Sequence, residues 1–274
     1  MNEAPETSTE TGTETGTETG TEIPPELVTQ MTGWRRDFHR HPEPGFAEER
    51  TSAHIASLLE SFGIEVHRNI GKTGIVGILQ RGNGPGSIAF RADMDALPIT
   101  ETGTPEWVSV HDGAMHACGH DGHTAMLLGA ACHLAAKGDF NGRIVFIFQP
   151  NEEHGQGARA MIDDGLFQRF PADAVFAMHN IPGMKTGSFA TRAGPMTASE
   201  SLFELSVTAR GGHAALPHMG VDAILVGAQL VTALQSIVSR KLDPARNGVV
   251  SITEFITDGS RNVLPSSALL LSLI

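Results

Sequence analysis

Four short apolar runs constrain this chain more than anything else in it: residues 74–79, 87–92, 143–148 and 174–178. Each is β-branched or aromatic and nearly continuous in apolar character, as strands buried on both faces are. Helical spacing fills the gaps. Leu27, Met31, Trp34 and Phe38 share one face of a helix predicted over 27–39, and another is predicted over 47–62 with Gly63 as its stop. Further helical stretches fall at 123–137 and 157–167. Strands alternating with helices predict an α/β domain with a mostly parallel sheet and flanking helices. After about Ser199 the pattern changes to strand, long helix, strand, strand (202–208, 221–239, 249–257, 268–274), which predicts a smaller α+β domain. The chain stops inside the apolar run 269–274, so this second domain is expected to be incomplete. The expected organisation is a disordered acidic Thr/Glu/Gly tail over 1–26, an α/β domain over 27–198 and the small domain over 199–274.

Composition narrows the function. Hydrophobic residues make up 40% of the 274 and charged residues 18%, enough for a sizeable core. The net charge of −12 argues against nucleic-acid binding. Seven Glu and no Lys, Arg or Asp lie in residues 1–34, so the rest of the chain carries −12 + 7 = −5. Two cysteines make no disulfide framework, no apolar run approaches the ~20 residues of a membrane span, and no signal peptide is visible; the expected location is cytoplasmic. Thirteen His point toward chemistry.

The densest cluster of reactive residues is His116-Ala117-Cys118-Gly119-His120-Asp121-Gly122-His123. These are ligand types for zinc, manganese or cobalt, and the glycines let several side chains converge. A Gly-rich loop with incidental histidines is the plain alternative, and a Cys–His nucleophile a less economical one. Asp121 is placed to cap the following helix or to orient a ligand. Glu152 and Glu153 follow one apolar strand and His179-Asn180 another. Open α/β sheets gather ligands at such strand ends. Adjacent carboxylates repel, a conflict that a cation resolves by ligating one and leaving the other as a base; a solvated Glu pair is the alternative. Asp93 and Asp95 end another strand and could orient histidines or bind Arg91. His213 sits on a Gly-Gly turn in the small domain, where a surface turn is the plain reading.

Taken in order, these words resemble the M20 metallopeptidase family, most closely its amidohydrolase branch of hippurate hydrolases, N-acyl-amino-acid amidohydrolases and auxin-conjugate hydrolases. The matching stretches are Arg35 to Pro42, Gly71 to Gly74, Arg91 to Pro98, Met115 to Gly122, Gln149 to Glu153, Met178 to Asn180, Gly211 to His218 and Asn262 to Pro265. The resemblance implies a two-metal hydrolase. Cys118, His120, Glu153 and His179 would be metal ligands, Glu152 the general base, and His213 an oxyanion donor contributed across a dimer. The cofactors would be two divalent ions (zinc, manganese, cobalt or nickel) and the substrate a small N-acyl amino acid. The small domain would be a ferredoxin-like lid that also forms a homodimer. Against the family pattern the chain ends inside that lid and lacks the last ligand histidine, so it is expected to be truncated. A catalytically inactive remnant binding at most one metal and acting as an interaction module is the alternative. Asn151 replaces the small residue usual before the Glu pair.

Overall fold

A computed structural model describes residues 23–273. Most of the acidic tail expected over 1–26 therefore lies outside the described residues. The described chain divides between Met184 and Lys185 into two compact units.

The first unit opens with α1 (Pro25–Arg40) and α2 (Glu49–Ser61). Pro25 starts α1 where an amide would be unpaired anyway, Glu26 lies in its first turn, and His39 and Arg40 lie in its last, each favourable to the helix dipole. Then come β1 (Glu65–Ile70), β2 (Gly74–Arg81), β3 (Ser87–Asp93), α3 (His120–Lys137), β4 (Gly142–Gln149), α4 (Gly157–Asp163), α5 (Leu166–Arg169) and β5 (Ala174–Ala177). The strands form one sheet in the order β1-β2-β4-β3-β5.

The expectation of a mostly parallel sheet is corrected: the sheet is mixed. β3 runs parallel to β4 and to β5, whereas β2 is antiparallel to both β1 and β4. The parallel half follows from the crossover through α3, which returns the chain in the direction it left. The antiparallel half begins with the tight β1–β2 turn. β1 gave no sequence signal because it is a largely polar edge strand, with only Ile70 buried.

β4 lies at the centre and alternates. Ile144, Phe146 and Phe148 join Phe38, Ile55, Leu59 and Leu128 from the α1–α3 layer. Val145 and Ile147 point the other way, onto Met161, Leu166 and Phe170 from the α4–α5 side. The sheet is therefore packed on both faces, as the apolar runs of β2 and β4 predict. β5 departs from that expectation: it is exposed along its length, including Val175 and Phe176.

The second unit contains β6 (Leu202–Thr208), β7 (Gly212–His213), α6 (Ala223–Ser236), β8 (Ser251–Thr257), β9 (Val263–Leu264) and β10 (Ser267–Leu273). β10 pairs antiparallel with β6 on one side and β8 on the other, and β7 pairs with β9. Asp222 caps α6 by accepting the Ile224 and Leu225 amides. The expectation that no apolar run approaches a membrane span is corrected here: the segment Ala223–Lys241, α6 with its π-helical end, is long and apolar enough to cross one by length and composition alone. Its Gly227 packs directly against Phe255 of β8.

Candidate metal centre

Donor side chains collect where β3 and β4 end, at the start of α3, and just after β5. The α3 entry is built around Gly119, whose φ of 94° is left-handed. A Cβ there would also collide with Asn180 Oδ1. This turn sets Cys118 and His120 on one side. Of the two roles expected for it, Asp121 does not take the helix cap. Its Oδ2 accepts Arg35 Nε at 2.7 Å and His39 Nδ1 at 2.8 Å, pinning α3 to α1.

His120 is fully buried. Its Nδ1 donates to the Asp95 carbonyl oxygen at 2.9 Å, which leaves the Nε2 lone pair facing outward. Nε2 has no hydrogen-bond partner among the described residues. It faces Asp93 Oδ2, Glu152 Oε2 and Glu153 Oε1, each at 3.7 Å. That spacing is too long for a hydrogen bond. It suits donors sharing one cation, because two atoms each about 2.1 Å from an ion lie at most about 4.2 Å apart. Cys118 Sγ lies 3.4 Å from His179 Nε2. Three donor groups, each with its ligand atoms mutually within 4.8 Å, share His120: Cys118/His120/His179, Asp93/His120/His123 and His120/Glu152/Glu153.

The structure thus brings together Cys118, His120, Glu152, Glu153 and His179. His213 lies in the second unit, on β7, where its Nδ1 accepts the Ala215 amide. His123 belongs to the same sequence word as Cys118 and His120, but the sequence gives it no distinct role. It is buried, its Nδ1 lies 2.6 Å from Asp93 Oδ1, and its Nε2 lies 2.6 Å from Asn180 Oδ1 and 3.1 Å from the Asn180 backbone nitrogen. Asp93 also accepts Arg91 Nη1 at 2.7 Å. Partners 30 and 57 residues away carry no local sequence signal.

The electrostatics fit a cation. Burial pushes the Cys118 thiol up to about 12, helped by the negative charges of Glu153 and Glu152. Burial also raises the Glu153 carboxyl, with Glu152 adding to it and His120 opposing. Burial alone would lower His120, but the Asp95 hydrogen bond and the Asp93, Asp95 and Glu153 charges raise it above its ordinary value. Asp93 resists its burial through the His123 hydrogen bond and the Arg91 charge and is held at about 2. A thiol held protonated beside an excess of acids is a donor that a divalent ion would ionise, and a carboxyl raised by burial gains from the same positive charge.

The sequence pattern of peptidase family M20/M25/M40 matches residues 89–265. Over 243 residues the chain is 45% identical to a hippurate hydrolase of Campylobacter jejuni, covering 89% of this chain and 63% of that protein. It is 44% identical over 244 residues to an N-acyl-L-amino acid amidohydrolase of Geobacillus stearothermophilus, covering 88% and 65%. The chain thus spans somewhat under two thirds of these relatives' length. Among solved structures it is similar to the Bacillus subtilis YXEP protein, described as a dinuclear metal binding peptidase of the M20 family. The TM-score is 0.65 at 36% identity, with 90% of this chain and 64% of that one covered.

Proposed function

The chain belongs to peptidase family M20/M25/M40, and on that footing we propose that it carries the metal centre of an enzyme hydrolysing the amide bond of N-acyl amino acids, of the N-acetyl or N-benzoyl type. The observation that carries this reading is the free Nε2 of buried His120 among Asp93, Glu152 and Glu153, beside the Cys118–His179 pair. Cys118, His120, Glu153 and His179 would hold two divalent ions, zinc, manganese, cobalt or nickel. Such ions supply Lewis-acid polarisation of the amide carbonyl and a lowered pKa for water.

Glu152 is the general base. Its side chain is 38% exposed, against 15% for Glu153, so of the two it is the one open to solvent and substrate. It takes the proton of the attacking water and delivers it to the departing amine. Asp95 orients His120, and the Asp93–His123 pair supports the loop that carries His179. His213 of the partner subunit donates to the tetrahedral oxyanion, with residues 199–274 as lid and dimerisation domain. The reading fits a reducing, cytoplasmic setting that keeps Cys118 a thiol.

Metal content and product release test this reading. Two ions per chain, with free amino acid appearing from N-acetyl or N-benzoyl amino acids, are expected. Glu152→Gln should keep both ions and lose turnover; turnover retained in that variant removes Glu152 from its role. One ion or none, without hydrolysis, would count against the reading as a whole.

A further inference from the structure

Glu48 is a fully buried carboxylate, and its own helix makes no use of it. It occupies the N-cap position of α2 but makes no side-chain cap. Glu43 caps that helix instead, its two oxygens accepting the Arg50 and Thr51 amides at 3.0 and 2.7 Å. Among the described residues no cation lies within ion-pair reach of Glu48. Burying a carboxylate without a counter-charge is costly, and its hydrogen bonds must offset that cost. One spans 25 residues: Oε2 accepts the Thr73 hydroxyl at 2.6 Å. The other spans 103 residues, Oε1 accepting the Asn151 amide at 2.8 Å.

Asn151 immediately precedes the Glu pair and has a φ of 43°, in the left-handed region that few residues other than glycine adopt. Its side chain occupies space that only a glycine at position 45 leaves open, since a Cβ there would collide with the Asn151 amide. His154 Nδ1 lies 2.9 Å from Asn151 Oδ1, and the Asn151 carbonyl accepts the Gly157 amide at 3.0 Å. The Glu153 amide donates to Asp95 Oδ2 at 3.1 Å. The turn is thus gripped at Asn151 by the segment before α2 and at Glu153 by the end of β3.

We propose that Glu48 is a positioning residue: anchored by Thr73, it holds the Asn151 amide and so fixes the left-handed residue from which Glu152 and Glu153 are aimed at His120. The inference rests on the metal-hydrolase reading of that Glu pair and adds the device that keeps it in place.

The test uses the full chain, with Co²⁺ as the probe, and the variants Glu48→Gln, Glu48→Asp and Glu48→Ala. Gln reaches as far as Glu and can still accept the Asn151 amide. Asp keeps the charge but is one methylene too short. The expected result is a Co²⁺ Kd within about threefold of the unaltered chain for Gln, and at least about tenfold weaker for Asp and Ala, with an altered Co²⁺ absorption spectrum. Hydrogen exchange at the Asn151 amide, read by NMR without metal, should stay slow in Gln and quicken at least about tenfold in Asp and Ala.

Asp matching Gln in Co²⁺ affinity overturns the proposal, and so does Gln as impaired as Asp. Faster exchange with unchanged Co²⁺ affinity overturns it too, because Glu48 would then hold the amide without aiming the site. Should Ala fail to fold, the Gln and Asp pair decides. Failure of the underlying reading looks different: the unaltered chain takes up no Co²⁺, or Glu153→Ala binds it as well as the unaltered chain does, and the proposal falls with it.

Discussion

Replacing Asp121 by Asn tests whether the junction between α1 and α3 holds the metal-binding turn in place. The change preserves shape and removes charge from a side chain that is 1% exposed. Asp121 accepts two charge-assisted hydrogen bonds, from Arg35 and His39. Each such bond is worth about 1.5–3 kcal/mol when its partner is buried. Arg35 is 37% exposed, so its share is largely screened, and a net loss of about 2–4 kcal/mol is expected. Urea unfolding followed by tryptophan fluorescence suits the measurement. Trp34 packs against the main core, and the Arg36 guanidinium lies 4.0 Å from the Trp107 ring.

The pH dependence gives a second reading of the same junction. Its hydrogen bond to Asp121 raises the His39 pKa above 6.5, ahead of the opposing burial. The stabilisation it contributes is therefore complete below about pH 6.5 and lost as pH rises through the folded-state value. The penalty of His39→Gln should be largest near pH 5.5 and shrink toward pH 9. At the acid end Asp121, held below 3.8 by His39, His116 and Arg35 against its burial, sets the lower limit. An Asp121→Asn penalty under about 0.5 kcal/mol would refute the argument, for that is what an exposed pair is worth. A His39→Gln penalty that grew with pH would refute it as surely.

Metal affinity should strengthen with rising pH from neutrality, because the raised Cys118 thiol and His120 must lose protons on binding; calorimetry in buffers of different ionisation enthalpy would count them. Chelator treatment of metal-loaded protein should lower its Tm, which differential scanning calorimetry reads. Gly119→Ala should destabilise the chain by more than about 1 kcal/mol in urea unfolding, since its φ is left-handed and its Cβ would meet Asn180. Phe146→Ala should cost about 3–5 kcal/mol in the same assay, through the cavity left in the main core.

Much of the frame was legible because burial writes itself into composition. β2, β3 and β4 announce themselves as apolar runs, α1 as a stripe of helical period, α2 as a stretch stopped by Gly63, and α3 by its Ala and Leu content. β1 stayed hidden because Glu65 and Asn69 face solvent on a sheet edge, where nothing demands apolar residues. Strand direction is not legible, because an apolar run reads the same whether its neighbour is parallel or antiparallel. At the site, Cys118, His120, Glu152, Glu153 and His179 stood out as reactive types clustered at strand ends or beside a helix start. Glu48 and His39 did not. Their meaning lies in single hydrogen bonds to Asn151 and Asp121, 103 and 82 residues away, which no local pattern encodes.

The central strand β4 carries one more implication. Both of its faces are apolar, so a slide of one position along its neighbours would still bury apolar side chains on either side, although it would part Gln149 Oε1 from Arg91 Nε. Bulk opposes the slide as well: Phe146 and Phe148 face α1–α3 while the smaller Val145 and Ile147 face α4 and α5. Bulk thus helps to set the register of the strand that delivers the acids, and the grip on Asn151 and Glu153 takes over where the strand ends.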